Sequence, residues 1–140
     1  MQPTIAVLSG SWATWAAGIA FSVVLGHLAT WLFLTALRRI SRLGAKPATD
    51  GVPKRIAPWL TGIVERVAFT VFVGTGASGV LPAMFAWLAV KLATNWNHPH
   101  WKDNPDVRTW AMSAVLAGLV SLFFAYVGGL VASGALNVGI

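Results

Sequence analysis

The chain has 140 residues, of which 56% are hydrophobic and only 10% are charged. Soluble globular domains carry about 25% charged residues, and disordered chains combine low hydrophobicity with high charge, so the composition argues against both classes. The formal net charge is +6, but all ten Lys and Arg residues lie between Arg38 and Arg108. This clustering is typical of membrane topology, so no nucleic-acid partner is expected. Cysteine is absent, which excludes disulfides and thiolate chemistry in this chain.

The first predicted span covers residues 12–37. Its uncharged core from Ala16 to Leu37 would form about 33 Å of helix, enough to cross a hydrocarbon layer of about 30 Å. No Lys or Arg precedes this span, whereas Arg38 and Arg39 follow it at once. A cleavable signal peptide has the reverse arrangement, so we expect an uncleaved span in a bacterial inner membrane, with the N-terminus outside.

Residues 38–58 are predicted to form a basic cytoplasmic connector, because glycines and prolines interrupt any continuous helix there. The connector carries six basic residues, which are Arg38, Arg39, Arg42, Lys46, Lys54 and Arg55. Each basic residue beside an anionic membrane surface contributes about 1 kcal/mol of binding. We therefore expect residues 38–55 to contact anionic lipid head groups, as part of positive-inside anchoring.

Residues 59–96 have two interpretations, because one helix of that length, about 57 Å, is too long for an ordinary span. The first is a single tilted span over residues 67–90, which carry no charge. The second is a helical hairpin whose apex contains Gly76, Gly79 and Pro82, all strong helix breakers. The hairpin is favoured because it places all ten basic residues on the cytoplasmic side.

The remainder is predicted to be a polar loop over residues 97–109 and a last span over residues 110–136. His98 and His100 lie in that loop, but Pro99 separates them and no metal-ligand motif of known spacing is present, so no metal site is predicted. The whole chain, 1–140, is therefore expected to be one all-α domain. Its predicted architecture is a polytopic integral membrane bundle with three full spans, or four helical segments including a central hairpin.

Small residues recur along both terminal spans at spacings that place them on one helix face. They are Gly10, Thr14, Gly18, Ser22, Gly26 and Thr30 in the first span, and Ala114, Gly118, Ser121, Ala125, Gly128 and Ala132 in the last. Such stripes allow helices to approach closely in membranes. We expect both stripes to be buried, either within one chain or between subunits. Because four short helices bury little surface, a homo-oligomer or a membrane-protein partner is also expected.

Four ionisable residues fall within or beside the predicted spans: Glu65, Arg66, Lys91 and His27. In the hairpin, Glu65 and Lys91 lie at similar depth on facing arms and could neutralise each other. Ionisable groups in membranes are costly and are usually paired or functional. The cluster is interpreted either as structural pairing or as part of a polar path. His27 lies near the middle of the first span, where it could form a structural hydrogen bond or handle protons; no cofactor is predicted.

The segment Ile63-Val64-Glu65-Arg66, an apolar run broken by glycines, and the segment ending at Lys91 together resemble a pattern in small uncharacterised bacterial inner-membrane proteins. The resemblance covers about a quarter of the chain. It implies a bacterial inner-membrane setting and a Glu-Arg…Lys helical hairpin, and it implies no activity.

The predicted function is that of a small membrane scaffold or accessory subunit, which acts through helix packing with itself or with a partner. The alternative is a small oligomeric channel or transporter that uses Glu65, Lys91 and His27 along a polar path. No catalytic residue is predicted, because no nucleophile–base arrangement or nucleotide-binding motif is present in the sequence. The protein is therefore not expected to be an enzyme.

Overall fold

The computed structural model describes residues 11–41, 57–97 and 106–136, and this part of the chain is helical without strands. The four helices are α1 (Trp12–Ser41), α2 (Pro58–Gly74), α3 (Val80–Trp96) and α4 (Val107–Ala132). The predicted all-α class is thereby confirmed. Two stretches, α1 and residues Arg108–Ala132 of α4, are long and apolar enough to cross a membrane by the criteria of length and composition.

Helix α4 packs against each of the other three helices. Helix α1 runs antiparallel to it, because Thr14 near the start of α1 donates to the Ala132 carbonyl while Arg38 near the end of α1 lies over the ring of Trp110. As a result, the ends of α1 and α3 and the starts of α2 and α4 lie at one end of the bundle, which we call the basic end. The turn between α2 and α3 lies at the other end, which we call the turn end.

The apolar core lies between α2, α3 and α4. Its buried members are Phe69, Met84, Leu88, Leu122 and Ala125, and Val73, Val80 and Tyr126 pack against them. Helix α3 buries only Met84 and Leu88, so most of its surface faces outward. The core is thus small, and large apolar side chains remain exposed on the outside of the bundle.

The helix ends differ from the sequence-based bounds at both terminal spans. Helix α1 begins after Ser11, whose side chain accepts a hydrogen bond from the Thr14 backbone, and it continues to Ser41 rather than ending at residue 37. Helix α4 begins at Val107, so the predicted loop is shorter. It ends at Ala132 rather than at residue 136, because Gly134 adopts a left-handed φ of 76° that a helix cannot continue.

A short turn separates α2 from α3. Gly76 and Gly79 have φ values of 67° and 77°, the left-handed region that glycine enters without steric cost. Pro82 was assigned to this apex from the sequence, and that assignment was wrong because Pro82 lies within the first turn of α3. A proline is tolerated there, since the first N–H groups of a helix have no partner inside the helix.

A π-helical segment, Phe21–Leu25, interrupts α1. An α-helix rotates by about 100° per residue, so residues spaced four apart are offset by about 40° around the helix axis. A stripe with a strict spacing of four therefore shifts gradually around an α-helix. The wider π-helical turn reverses part of that drift. Gly18, Ser22 and Gly26 are consequently all buried.

The small-residue stripes meet each other inside this chain. A Cβ added to Gly18 would lie 2.3 Å from the Gly128 carbonyl oxygen, and a Cβ added to Gly128 would lie 2.6 Å from that of Gly18. The two backbones are therefore in direct contact. Gly118, by contrast, faces Leu88 of α3. The predicted Gly10 lies outside the described residues.

Candidate polar binding site

A cavity of about 320 Å³ lies in the half of the bundle nearer the basic end, and all four helices contribute to its walls. Its lining includes every member of the predicted polar cluster: His27 from α1, Glu65 and Arg66 from α2, and Lys91 from α3. Helix α4 completes the wall with small residues, among them Gly118 and Ser121. Since ligand cavities occupy about 300–1,000 Å³, this volume suits a small ligand.

Glu65 and Lys91 form an ion pair across the α2–α3 hairpin, with Lys91 Nζ donating to Glu65 Oε2. The Glu65 side chain is 6% exposed and that of Lys91 is 27% exposed, so the pair lies at the boundary of the cavity and is not fully buried. The turn between α2 and α3 explains why these two residues meet. In an antiparallel helix pair, residues at similar distances from the turn lie next to each other. The pair neutralises one of the two cations in the cavity wall.

Arg66 is the second cation, and it is 3% exposed. Its Nη2 donates to Thr30 Oγ1 of α1 at 3.3 Å. Two glycines make room for its side chain: a Cβ on Gly26 would lie 3.1 Å from Arg66 Nε, and a Cβ on Gly62 would lie 3.6 Å from Nη1. The guanidinium group is therefore held between α1 and its own helix.

Several polar atoms of the cavity residues are buried and have no hydrogen-bond partner among the described residues. They are Arg66 Nε and Nη1, Glu65 Oε1 and Ser121 Oγ. Leaving a buried polar group unpaired costs about 1–3 kcal/mol, and more when the group is charged. Native structures keep few such groups unless water, an ion or a ligand satisfies them. Four of the six such atoms among the described residues belong to three cavity residues, and the other two are Trp15 Nε1 and Ser22 Oγ outside the cavity. This concentration of unpaired atoms indicates a site for water, an ion or a polar ligand.

Aromatic residues surround the open side of the cavity and the basic end. Trp31 and Trp59 line the cavity, and they are 57% and 58% exposed. Arg38 lies 5.4 Å from the ring centroid of Trp110, and Arg108 lies 5.3 Å from that of Trp96. Such cation–π contacts contribute about 0.5–1 kcal/mol at exposed sites. These contacts connect the helix ends around the cavity.

The structure brings some predicted residues together and separates others. Glu65, Arg66 and Lys91 share the cavity, whereas His27 is exposed at its edge. His98 and His100 lie outside the described residues, and within the described part no group of three or more His, Asp or Glu could hold a metal ion. Thr30 and Ser121 were predicted only as packing residues. Their hydroxyl groups were the available signal that these positions also line a polar space.

Comparison of the chain with protein-family models, curated proteins and solved structures finds no match.

Proposed function

We propose that this chain is an integral membrane protein of the bacterial inner membrane. Two helices have the length and apolarity of spans, and large apolar side chains are exposed around the bundle. Val24, Leu28 and Leu32 of α1 are 63%, 49% and 52% exposed, and Phe85 of α3 and Phe123 of α4 are 64% and 61% exposed. In a membrane these side chains would contact lipid, whereas in water they would form a large exposed apolar surface, which soluble proteins rarely have.

The orientation of the chain is part of this proposal. Arg38, Arg39 and Arg108 lie at the basic end, at or beside helix termini. The positive-inside rule then makes the basic end cytoplasmic and places the start of α1 outside. Arg38 and Arg39 are exposed and available to anionic head groups.

Within that membrane we propose that the protein moves a small polar solute, as a channel or transporter. The observation that carries this proposal is the convergence of four helices on one cavity lined by Glu65, Arg66 and Lys91. Transporters commonly bind their substrates between helices, and ionisable residues within spans mark such paths. The structure also weakens the packing argument for a scaffold, because the small-residue stripes are used within the chain.

A scaffold or accessory subunit is the second candidate, and one observation favours it. An apolar groove of about 210 Å³ runs between α3 and α4, lined by Leu81, Phe85, Leu119 and Phe123 among others. Helix α3 is exposed along most of its length, so a second copy or a partner helix could pack there. Co-purification of a stoichiometric partner through this face would support that role.

Transport is tested by reconstituting the full chain into liposomes and measuring the flux of potassium, chloride, phosphate and glycerol in separate experiments. The matched variants are Ser121→Ala, in the cavity wall, and Ser22→Ala, which is equally buried but lies in the α1–α4 contact. We expect flux of at least one solute, reduced by Ser121→Ala and unchanged by Ser22→Ala. Liposomes that are no more permeable to any of the four solutes than protein-free liposomes would contradict the transport proposal.

A further inference from the structure

The ligand chemistry of the cavity can be derived from its charge. Glu65 is already paired with Lys91, so the charge of Arg66 is left over, and the three residues together carry one net positive charge. Arg66 remains charged at any physiological pH. Two of its donor nitrogens lack partners among the described residues. The cavity therefore favours an anion that can accept hydrogen bonds.

The other unpaired atoms of the cavity restrict the class of ligand further. Ser121 Oγ supplies another donor, but Glu65 Oε1 is an ionised oxygen that only accepts. A fully deprotonated anion would place its own oxygens against that carboxylate oxygen, which is unfavourable. A ligand that satisfies the whole site needs acceptor oxygens for Arg66 and Ser121 and an O–H group for Glu65.

We propose that the cavity binds an oxyanion that also carries a hydroxyl group, with Arg66 and Ser121 donating to its charged oxygens and Glu65 accepting from its hydroxyl. This inference rests on the proposed function, because it names the substrate class of the same site. Dihydrogen phosphate has this chemistry in water. The phosphate and glycerol hydroxyls of a phosphatidylglycerol head group have it in a membrane.

Sulfate provides the sharpest comparison, because it matches phosphate in shape but carries no O–H group near neutral pH. Binding to the purified full chain in detergent is measured by equilibrium dialysis with radiolabelled phosphate, at a mildly acidic pH where the monoanion dominates. We expect sulfate to compete at least about tenfold more weakly than phosphate, the loss for one hydrogen bond to a charged group. Equal competition by sulfate would overturn the role given to Glu65.

Native mass spectrometry distinguishes a lipid head group from free phosphate as the ligand. The protein is taken from mixed phosphatidylglycerol and phosphatidylcholine vesicles. Selective retention of phosphatidylglycerol, reversed by free phosphate, identifies the lipid head group as a ligand of the same site. Phosphate binding without lipid retention identifies a free anion. Binding of neither phosphate nor phosphatidylglycerol overturns the inference.

Substitutions assign the binding to the cavity. Ser121→Ala should weaken phosphate binding about tenfold, whereas Ser22→Ala should leave it unchanged. Arg66→Lys should also weaken binding, and because a buried Arg variant can misfold, the Ser pair keeps the test decisive. Equal effects of the two Ser variants would contradict the site.

Failure of this inference is distinct from failure of the transport proposal. Phosphate binding without flux of any solute leaves the anion site standing and removes the transport proposal. Flux of potassium or glycerol without phosphate binding leaves transport standing and removes the anion site.

Discussion

The helices pack closely at one end of this bundle and surround a cavity toward the other. At the turn end, backbones touch: Gly18 meets Gly128, and Gly129 leaves room for Val73, whose Cβ would lie 2.4 Å from an added methyl group. Toward the basic end, the helices separate around a cavity of about 320 Å³. Close contact at one end fixes the helices, so that the other end can hold the Glu65–Lys91 ion pair and Arg66 around an open space.

Buried hydroxyl groups in this bundle have different surroundings. That of Thr70 donates to the Ala125 carbonyl at 3.2 Å. The hydroxyl groups of Ser121 and Ser22 are both buried without a partner among the described residues. They differ in that Ser121 lines the cavity, whereas Ser22 lies in the close contact with Gly128. We infer that the turn end supports the fold and that the cavity supports binding.

Gly128→Leu should have the largest effect on stability. Even a single methyl group at this position would lie 2.6 Å from a backbone oxygen, which cannot rotate away. Overpacking costs about 1–3 kcal/mol and sometimes more, and we expect about 3 kcal/mol or more here. Thermal unfolding in detergent measures the loss. Gly118→Ala is the control, because its contact is a movable Leu88 methyl group; equal losses in the two variants would show that the backbone contact is not decisive.

Glu65→Gln should be the next most destabilising change, because it leaves Lys91 without its paired anion and raises the net positive charge of the cavity. Removing one partner of a buried pair costs about 3–5 kcal/mol, and we expect about 2 kcal/mol because Lys91 is 27% exposed. The double variant Glu65→Gln/Lys91→Met should recover most of this loss in the same unfolding assay. A double variant whose loss is the sum of the two single losses would show that the pair has no coupling energy.

Gly79→Ala should cost about 1 kcal/mol, because Gly79 has a left-handed φ of 77° and no atom lies within 4 Å of an added methyl group. The cost therefore comes from backbone conformation alone. Ala77→Gly, in the same turn, is the comparison variant, because it increases the conformational freedom of the backbone and introduces no residue with a side chain at a left-handed φ. A Gly79→Ala variant as stable as the parent chain would contradict the assigned conformation of the turn.

Gly62→Ala should have the smallest effect, and in the opposite direction. Gly62 lies inside α2, where alanine is favoured over glycine by about 0.5–1 kcal/mol, and the nearest atom to an added Cβ is Arg66 Nη1 at 3.6 Å. We expect a slightly higher unfolding temperature. A lower unfolding temperature would show that the added methyl group clashes with the guanidinium group of Arg66.

The all-helical class could be predicted because apolar runs separated by Gly and Pro determine it. The helix termini were less predictable: Arg38 and Arg39 lie inside α1, since long basic side chains can extend from a helix to water. The π-helical segment Phe21–Leu25 was not predicted, because it depends on packing against α4 and has no sequence signature.

The site was only partly predictable for a similar reason. Glu65, Arg66, Lys91 and His27 stand out as ionisable residues in an apolar sequence. The position of Arg66 over Gly26, however, depends on how α1 approaches α2, and this approach is a property of the tertiary structure. Ser121 was assigned to a packing stripe because a small polar residue has the same spacing signal whether it packs against a helix or faces a cavity.

The most direct test of the difference between the two ends is cysteine accessibility in the full chain reconstituted into liposomes, because the chain has no cysteine of its own. Ser121→Cys and Ser22→Cys replace two buried serines, residues that are 4% and 0% exposed, with cysteines of similar size. Each variant is treated with a small anionic, water-soluble methanethiosulfonate reagent. The Ser121→Cys variant should react and the Ser22→Cys variant should not. An unreactive Ser121→Cys variant, or equal reaction of both variants, would contradict the proposal that the cavity is a binding site for polar ligands.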